Sequence, residues 1–330
     1  MELRTDIAAA LARAEGPARL TVVRAGGLGD SILTLPALQL VRQMVPQVQL
    51  TLVGSVWAER LRPLVGFPLR LVRFDSSGLT PLFGAPQSGG TPPAGDPSGA
   101  FAAAHAVLLY SSDPQDALVQ NARRLCPGPA LAWPVDPPAG VHAAVHFAGA
   151  LVAGRLDEVP PPELRVAPEL RGWARRRLDE AVGSGVRPVA LHPGSGGRRK
   201  CWPAEEFTQL VLGLGQPAVL LRGPADEAAC AALLALLPSG ARPVELAGLE
   251  VAQAGAVLAE CGLYVGNDSG LTHLAAGLGA PTVAVFGPTD PAVWRPMGPR
   301  VRVVLGAGGR AWPRAEEVLP LCRPDGPPVG

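Results

Sequence analysis

The chain has 330 residues, room for two domains of ordinary size, and its 48% hydrophobic content supplies apolar side chains for two cores. Its 29 basic and 28 acidic residues leave a net charge of +1, which excludes bulk electrostatic attraction to nucleic acid. Five cysteines, odd in number and without a C-x-x-C pair, argue against a disulfide framework or structural zinc and fit a reducing cytoplasm, and no apolar run of about 18 residues is present to span a bilayer.

Residues 1–16 read as a short amphipathic helix whose apolar run, 7–12, is too short and too closely flanked by charge for a secretion signal. A strand is predicted at 20–25, then a glycine turn and a helix to about residue 44. A strand at 49–55, a short helix at 57–64 and a strand at 69–75 follow. Residues 84–100, rich in Gly, Pro and Ser, read as a surface loop inserted in the first domain. Next come a strand at 106–111, a helix at 114–126, a strand at 130–135 and a helix at 141–153. The stretch 157–168, with four prolines, is the predicted linker between a first domain, 1–156, and a second, 169–330. The second half repeats the rhythm. Helices are predicted at 170–182, 203–213, 226–237, 251–261 and 270–278, and strands at 188–192, 218–222, 244–246, 263–265 and 282–286. Such alternation predicts an α/β fold with parallel sheets covered on both faces, and two such domains in tandem would form a cleft at the carboxyl ends of their strands.

Several strand-to-helix turns carry polar groups. At 24–31 (RAGGLGDS), glycines allow close backbone approach, and Asp30 either caps the helix or faces a ligand. The spacing matches neither G-x-G-x-x-G, since Ile32 stands at the third glycine, nor the phosphate loop G-x-x-x-x-G-K-[ST]. At 191–203 (LHPGSGGRRKCWP), Gly194, Ser195 and the cations Arg198, Arg199 and Lys200 suit a diphosphate; a solvated basic loop is the alternative. At 266–276 (GNDSGLTHLAA), a helix opens directly after a buried strand, and its positive end can hold an anion. Ser269 and His273 lie four apart, on one predicted helix face; the alternative makes Asp268 or Ser269 a cap and His273 a packed residue. At 221–227 (LRGPADE), Asp226 or Glu227 either accepts hydrogen bonds from a ribose or serves the helix dipole. The turn 286–291 (FGPTDP) would flank the same pocket, although turn chemistry explains most of it.

GGLGD followed by LTLPAL (26–30 and 33–38), HPGSG with K-x-W-P (192–196 and 200–203), and GNDSGLTHLAAGLGAPTVAVFGPTDP (266–291) occur in that order. Over residues 20–295 the chain resembles glycosyltransferase family 9, the heptosyltransferases. The resemblance implies the GT-B architecture, two Rossmann-like doubly wound domains facing across a cleft, the first acceptor-side and the second donor-binding. It implies an inverting, metal-independent transfer of a sugar, heptose by family default. The donor is a nucleotide diphosphate sugar, ADP-linked in the family, and the acceptor a cell-envelope oligosaccharide or glycolipid of lipopolysaccharide biosynthesis. No cofactor is implied beyond the nucleotide-sugar substrate. Carried onto this chain, Asp30 becomes the general base, with Gly29 beside it on the donor side. Gly194, Ser195 and Lys200 hold the diphosphate. Asp268 binds donor-sugar hydroxyls, Ser269, Gly270, Leu271 and His273 surround the phosphates, and Asp226 or Glu227 takes the ribose. A cytoplasmic location follows, with peripheral contact at the inner membrane surface through a lipid-linked acceptor. A nucleotide-sugar epimerase of the same architecture and a non-catalytic nucleotide-sugar binder are the alternatives, and the missing G-x-G-x-x-G argues against a dehydrogenase.

Overall fold

The computed structural model describes residues 1–76, 79, 82–84, 99–307 and 311–323; most of the insertion predicted at 84–100 lies outside them. The chain divides into two compact units, Met1–Glu163 and Leu164–Gly330.

The first unit runs β1 (Glu2–Leu3), α1 (Thr5–Ala12), β2 (Arg19–Arg24), α2 (Leu28–Met44), β3 (Gln49–Gly54), α3 (Val56–Leu61), β4 (Arg70–Arg73), β5 (Ala106–Tyr110), α4 (Ala117–Leu125), β6 (Ala130–Trp133), α5 (Ala143–Gly149) and β7 (Val152–Ala153). Five of these strands form a parallel sheet in the order β4-β3-β2-β5-β6. Successive residues of β2, β3 and β5 are buried, so both faces of the sheet are covered. That is why these strands read as continuous apolar runs rather than alternations. The helix predicted over 141–153 ends at Gly149. Val152–Ala153 instead pair antiparallel with Glu2–Leu3, which were expected inside a first helix. Arg4 N–H extends the contact to the Leu151 carbonyl at 2.9 Å. On α2, Gln39 donates to Pro161 O at 3.1 Å and accepts from Glu163 N–H at 2.9 Å, which pins the final stretch of this unit to its own core.

The second unit runs α6 (Pro168–Val182), β8 (Val189–His192), α7 (Ala204–Gly213), β9 (Ala218–Arg222), α8 (Glu227–Leu236), β10 (Val244–Ala247), α9 (Val251–Glu260), β11 (Leu263–Asn267), α10 (Gly270–Gly277), β12 (Thr282–Val285), α11 (Pro291–Trp294), β13 (Val301–Val304) and α12 (Ala315–Val318). Its sheet is parallel throughout, in the order β10-β9-β8-β11-β12-β13. Leu191, Leu220, Val265 and Val283 fill the core with Trp202 and Phe207, whose rings meet edge to face at 4.9 Å. In both sheets the chain starts in the middle, builds outward, then returns to build the other side. The reversal lies between β2 and β5 in the first unit and between β8 and β11 in the second. Neighbouring loops diverge at such a reversal and leave a crevice at the carboxyl ends of the strands.

Candidate functional site

At the first reversal, β2 ends in Arg24 and the chain turns through Gly26, whose φ of 153° suits glycine alone. A Cβ at Gly26 would stand 2.7 Å from Asp30 Oδ2. Asp30, in the first turn of α2, folds its carboxylate back over this turn. Oδ2 accepts from Gly27 N–H at 2.8 Å, and Oδ1 accepts from Arg24 Nη2 at 2.6 Å. Arg24 is buried, with its guanidinium carbon 4.8 Å from the Phe147 ring centroid and 5.9 Å from that of Tyr110. Asp30 therefore does cap α2. Its side chain is still 29% exposed, so capping leaves the carboxylate within reach of solvent and of a substrate.

At the second reversal, two loops are stitched together by the end of β11. Asn267, fully buried, donates from Nδ2 to the Pro193 carbonyl at 2.7 Å and the Gly194 carbonyl at 3.2 Å, and its Oδ1 accepts from Trp202 N–H at 3.0 Å. Ser195 Oγ donates to the Asp268 carbonyl at 2.6 Å. Lys200 reaches Asp268 Oδ2 at 2.8 Å, and His273 Nε2 lies 3.8 Å from Asp268 Oδ1. At that distance the His273 ring is a close neighbour of the carboxylate rather than a hydrogen-bonded partner. Lys200, Asp268 and His273 thus form one cluster at the start of α10, where Gly270 and Leu271 are partly exposed. The first amides of a helix have no intrahelical acceptor. Arg198 and Arg199 stand exposed on the loop.

Burial alone would push the Asp268 carboxyl up, but His273 and Lys200 outweigh it and hold it down to about 2. An unperturbed Asp titrates near about 3.9, so ionised Asp268 contributes stability that is full above about pH 4 and lost as pH falls toward about 2. Asp268→Asn removes that contribution. The stability gap between wild type and variant, read from urea unfolding, should narrow by about 2 kcal/mol between about pH 5 and about pH 2. A gap independent of pH would contradict the pairing.

Two readings of the sequence need correction. Ser269 and His273 do not share a helix face. Ser269 has extended backbone and is the cap outside α10, accepting Thr272 N–H on its side chain, so helical spacing does not apply to the pair. Its hydroxyl points inward to Thr272 Oγ1 at 3.0 Å and to His192 Nδ1 at 3.4 Å, while His273 turns to Asp268. Of the two acids offered to a ribose, Asp226 is committed to the interior. Oδ2 accepts from Gly223 N–H at 2.9 Å and lies 3.0 Å from His192 Nε2. Burial would raise its carboxyl, yet His192 and the Gly223 amide draw it below the usual range. Glu227 alone is exposed. Gly194 explains the inward placement, because a Cβ there would overlap Asp226 Oδ1. His192 was not singled out from the sequence; the available signal was an imidazole on the last residue of a buried central strand, immediately before P-G-S-G.

A concavity of about 410 Å³, bordered by Arg187, Thr282, Arg300 and Arg302, lies at the opposite, amino ends of the strands and touches none of these groups. Among the described residues, no cluster of three or more His, Cys, Asp or Glu is placed to hold a metal ion.

Two units, each built on a parallel sheet of this strand order with polar groups at its reversal point, define the two-domain α/β class known as GT-B. The profile described as glycosyltransferase family 9 (heptosyltransferase) matches residues 100–318, about two thirds of the chain. The chain belongs to glycosyltransferase family 9. It is 34% identical over 127 residues to lipopolysaccharide heptosyltransferase 3 of Escherichia coli, a stretch covering 37% of each protein; the chain thus spans little more than a third of that relative's length. Its fold matches the structure of E. coli ADP-heptose lps heptosyltransferase II with a TM-score of 0.71 at 20% identity, over 92% of this chain and 97% of that one. E. coli heptosyltransferase WaaC with ADP matches with a TM-score of 0.58 at 18% identity, over 89% and 96%.

Proposed function

We propose that this chain is an inverting, metal-independent glycosyltransferase. It moves a sugar, heptose by family default, from an ADP-linked donor to an oligosaccharide or glycolipid acceptor of the cell envelope. The supporting observation is the Lys200–Asp268 pair at the start of α10. The Lys200 ammonium has three donors, so it can keep one on Asp268 while the others meet a diphosphate. The Gly270 and Leu271 amides and the Gly194–Ser195 backbone complete the anion site. Ionised Asp268 accepts hydrogen bonds from donor-sugar hydroxyls, and Glu227 takes the ribose. Asp30 removes the proton from the acceptor hydroxyl as that oxygen attacks the anomeric carbon. The bond from that carbon to the diphosphate oxygen breaks in the same step, which inverts the centre. Lys200 and the α10 amides receive the charge that builds on the departing nucleoside diphosphate. We place the reaction in the cytoplasm, at the membrane surface that carries the acceptor. Among the described residues, no helix is long and apolar enough to cross a membrane.

Thermal unfolding with ADP, UDP, GDP and dTDP tests the donor. Ligand at about a hundred times its Kd adds about 2.7 kcal/mol, a shift of several degrees. ADP should give that shift, and Lys200→Ala should weaken ADP binding by about tenfold or more, the worth of a charged hydrogen bond. Preference for another base would discard the ADP-linked donor, and no shift with any diphosphate would sink the transferase reading.

A further inference from the structure

Three hydroxyls and one imidazole line up behind the start of α10, and following the hydrogens along them sets the charge on the imidazole. Thr272 donates its only hydroxyl hydrogen to the Asn267 carbonyl, which can only accept. Thr272 Oγ1 must therefore accept from Tyr264 Oη, 3.0 Å away, and from Ser269 Oγ, also 3.0 Å away. With its hydrogen so placed, Ser269 Oγ can only accept from His192 Nδ1, which must be protonated. Across the ring, Nε2 lies 3.0 Å from Asp226 Oδ2. Nε2 is buried and has no hydrogen-bond partner, so the Asp226 carboxylate meets it as a charge neighbour. A bare nitrogen there would set a lone pair beside a carboxylate, whereas a protonated one forms a buried ion pair. His192 is 3% exposed and Asp226 8%.

We infer that His192 is held doubly protonated and is a positioning residue for donor binding. Its ring ties the β9–α8 turn, through Asp226, to the start of α10, through Ser269, while its own backbone leads directly into Pro193–Gly194–Ser195. This inference rests on the donor-site reading above. Other titratable groups surround the chain of contacts. The Cys201 and Cys230 thiols are pushed up by burial and then by Asp226, Cys230 to about 12. Burial raises Tyr264 beneath, and Asp268, Lys200 and His273 lie around the α10 start.

The test is nitrogen NMR on wild-type protein carrying ¹⁵N-histidine, with the His192 signals assigned by their loss in His192→Gln. Both ring nitrogens should be protonated at about pH 7, and Asp226→Asn should convert the ring to its neutral form; a wild-type ring with one bare nitrogen overturns the inference. Calorimetric ADP binding supplies the second arm. His192→Gln should weaken ADP by about tenfold. Asp226→Asn, which removes the carboxylate facing Nε2, should weaken ADP by a similar factor. A folded His192→Gln with wild-type affinity would make His192 a plain core residue and overturn the positioning role. Were wild type to bind no diphosphate, the donor-site reading and the positioning role would fall together, while the spectrum would still decide the charge on the ring.

Discussion

Asp30→Asn should slow turnover by about 10²–10⁴-fold, the usual loss on removing a general base, and leave ADP affinity essentially unchanged. The substitution keeps the shape of the side chain and one oxygen able to receive the Gly27 amide, but removes the charge facing Arg24. Arg24 is then a buried cation without its partner. Breaking a fully buried pair costs about 3–5 kcal/mol, and less is expected where one partner keeps some solvent. A measured loss of activity therefore has to be separated from a loss of folded protein. Combining Asp30→Asn with Arg24→Met removes the orphaned charge, so it should recover much of the stability while turnover stays low. Recovery of turnover along with stability would make Asp30 a cap and nothing more.

Gly194→Ala should be the second large effect. The added methyl overlaps Asp226 Oδ1, so either the loop or the carboxylate has to move. Overpacking of this kind costs about 1–3 kcal/mol. Movement of either partner also separates Asp226 from His192 and Gly194 from Asn267, so ADP affinity should fall by about tenfold or more. At Gly196 and Gly197, in the same loop, an added Cβ would meet nothing within 4 Å. Alanine at either should stay within about 0.5 kcal/mol of wild type. Equal behaviour of the three variants in thermal melts and ADP titrations would contradict the steric account.

The sheets were legible because buried parallel strands write themselves as short β-branched runs between turns, as at Leu20–Val23 and Val283–Val285. What escaped has physical reasons. β13 has only four residues, one of them arginine, and α11 and α12 have four each, too few for a period to show. The alanine-rich stretch after residue 141 suits a helix everywhere, and only the distant strand Glu2–Leu3 explains why Val152–Ala153 leave it. At the site, the motifs identified the right loops but not the directions of their side chains. Lys200 and Asp268 were legible as loop polar groups, whereas their ion pair depends on Asn267 fastening two loops 65 or more positions apart in sequence. Asp226 and Glu227 are neighbours of like chemistry, and the space left by Gly194, with the Gly223 amide and His192 as partners, brings Asp226 inward.

The pairing of Glu2–Leu3 with Val152–Ala153 also sets an order of events during synthesis. The parallel sheet β2–β6 lies entirely between those two strands in sequence and can assemble as it emerges. Glu2–Leu3 have to wait, because their partner is made about 150 residues later. At ribosomal speeds of about 5–20 residues per second, that delay is roughly 8–30 s. Over that interval Glu2–Leu3 have no strand to pair with, and their docking is a late step in completing the first unit.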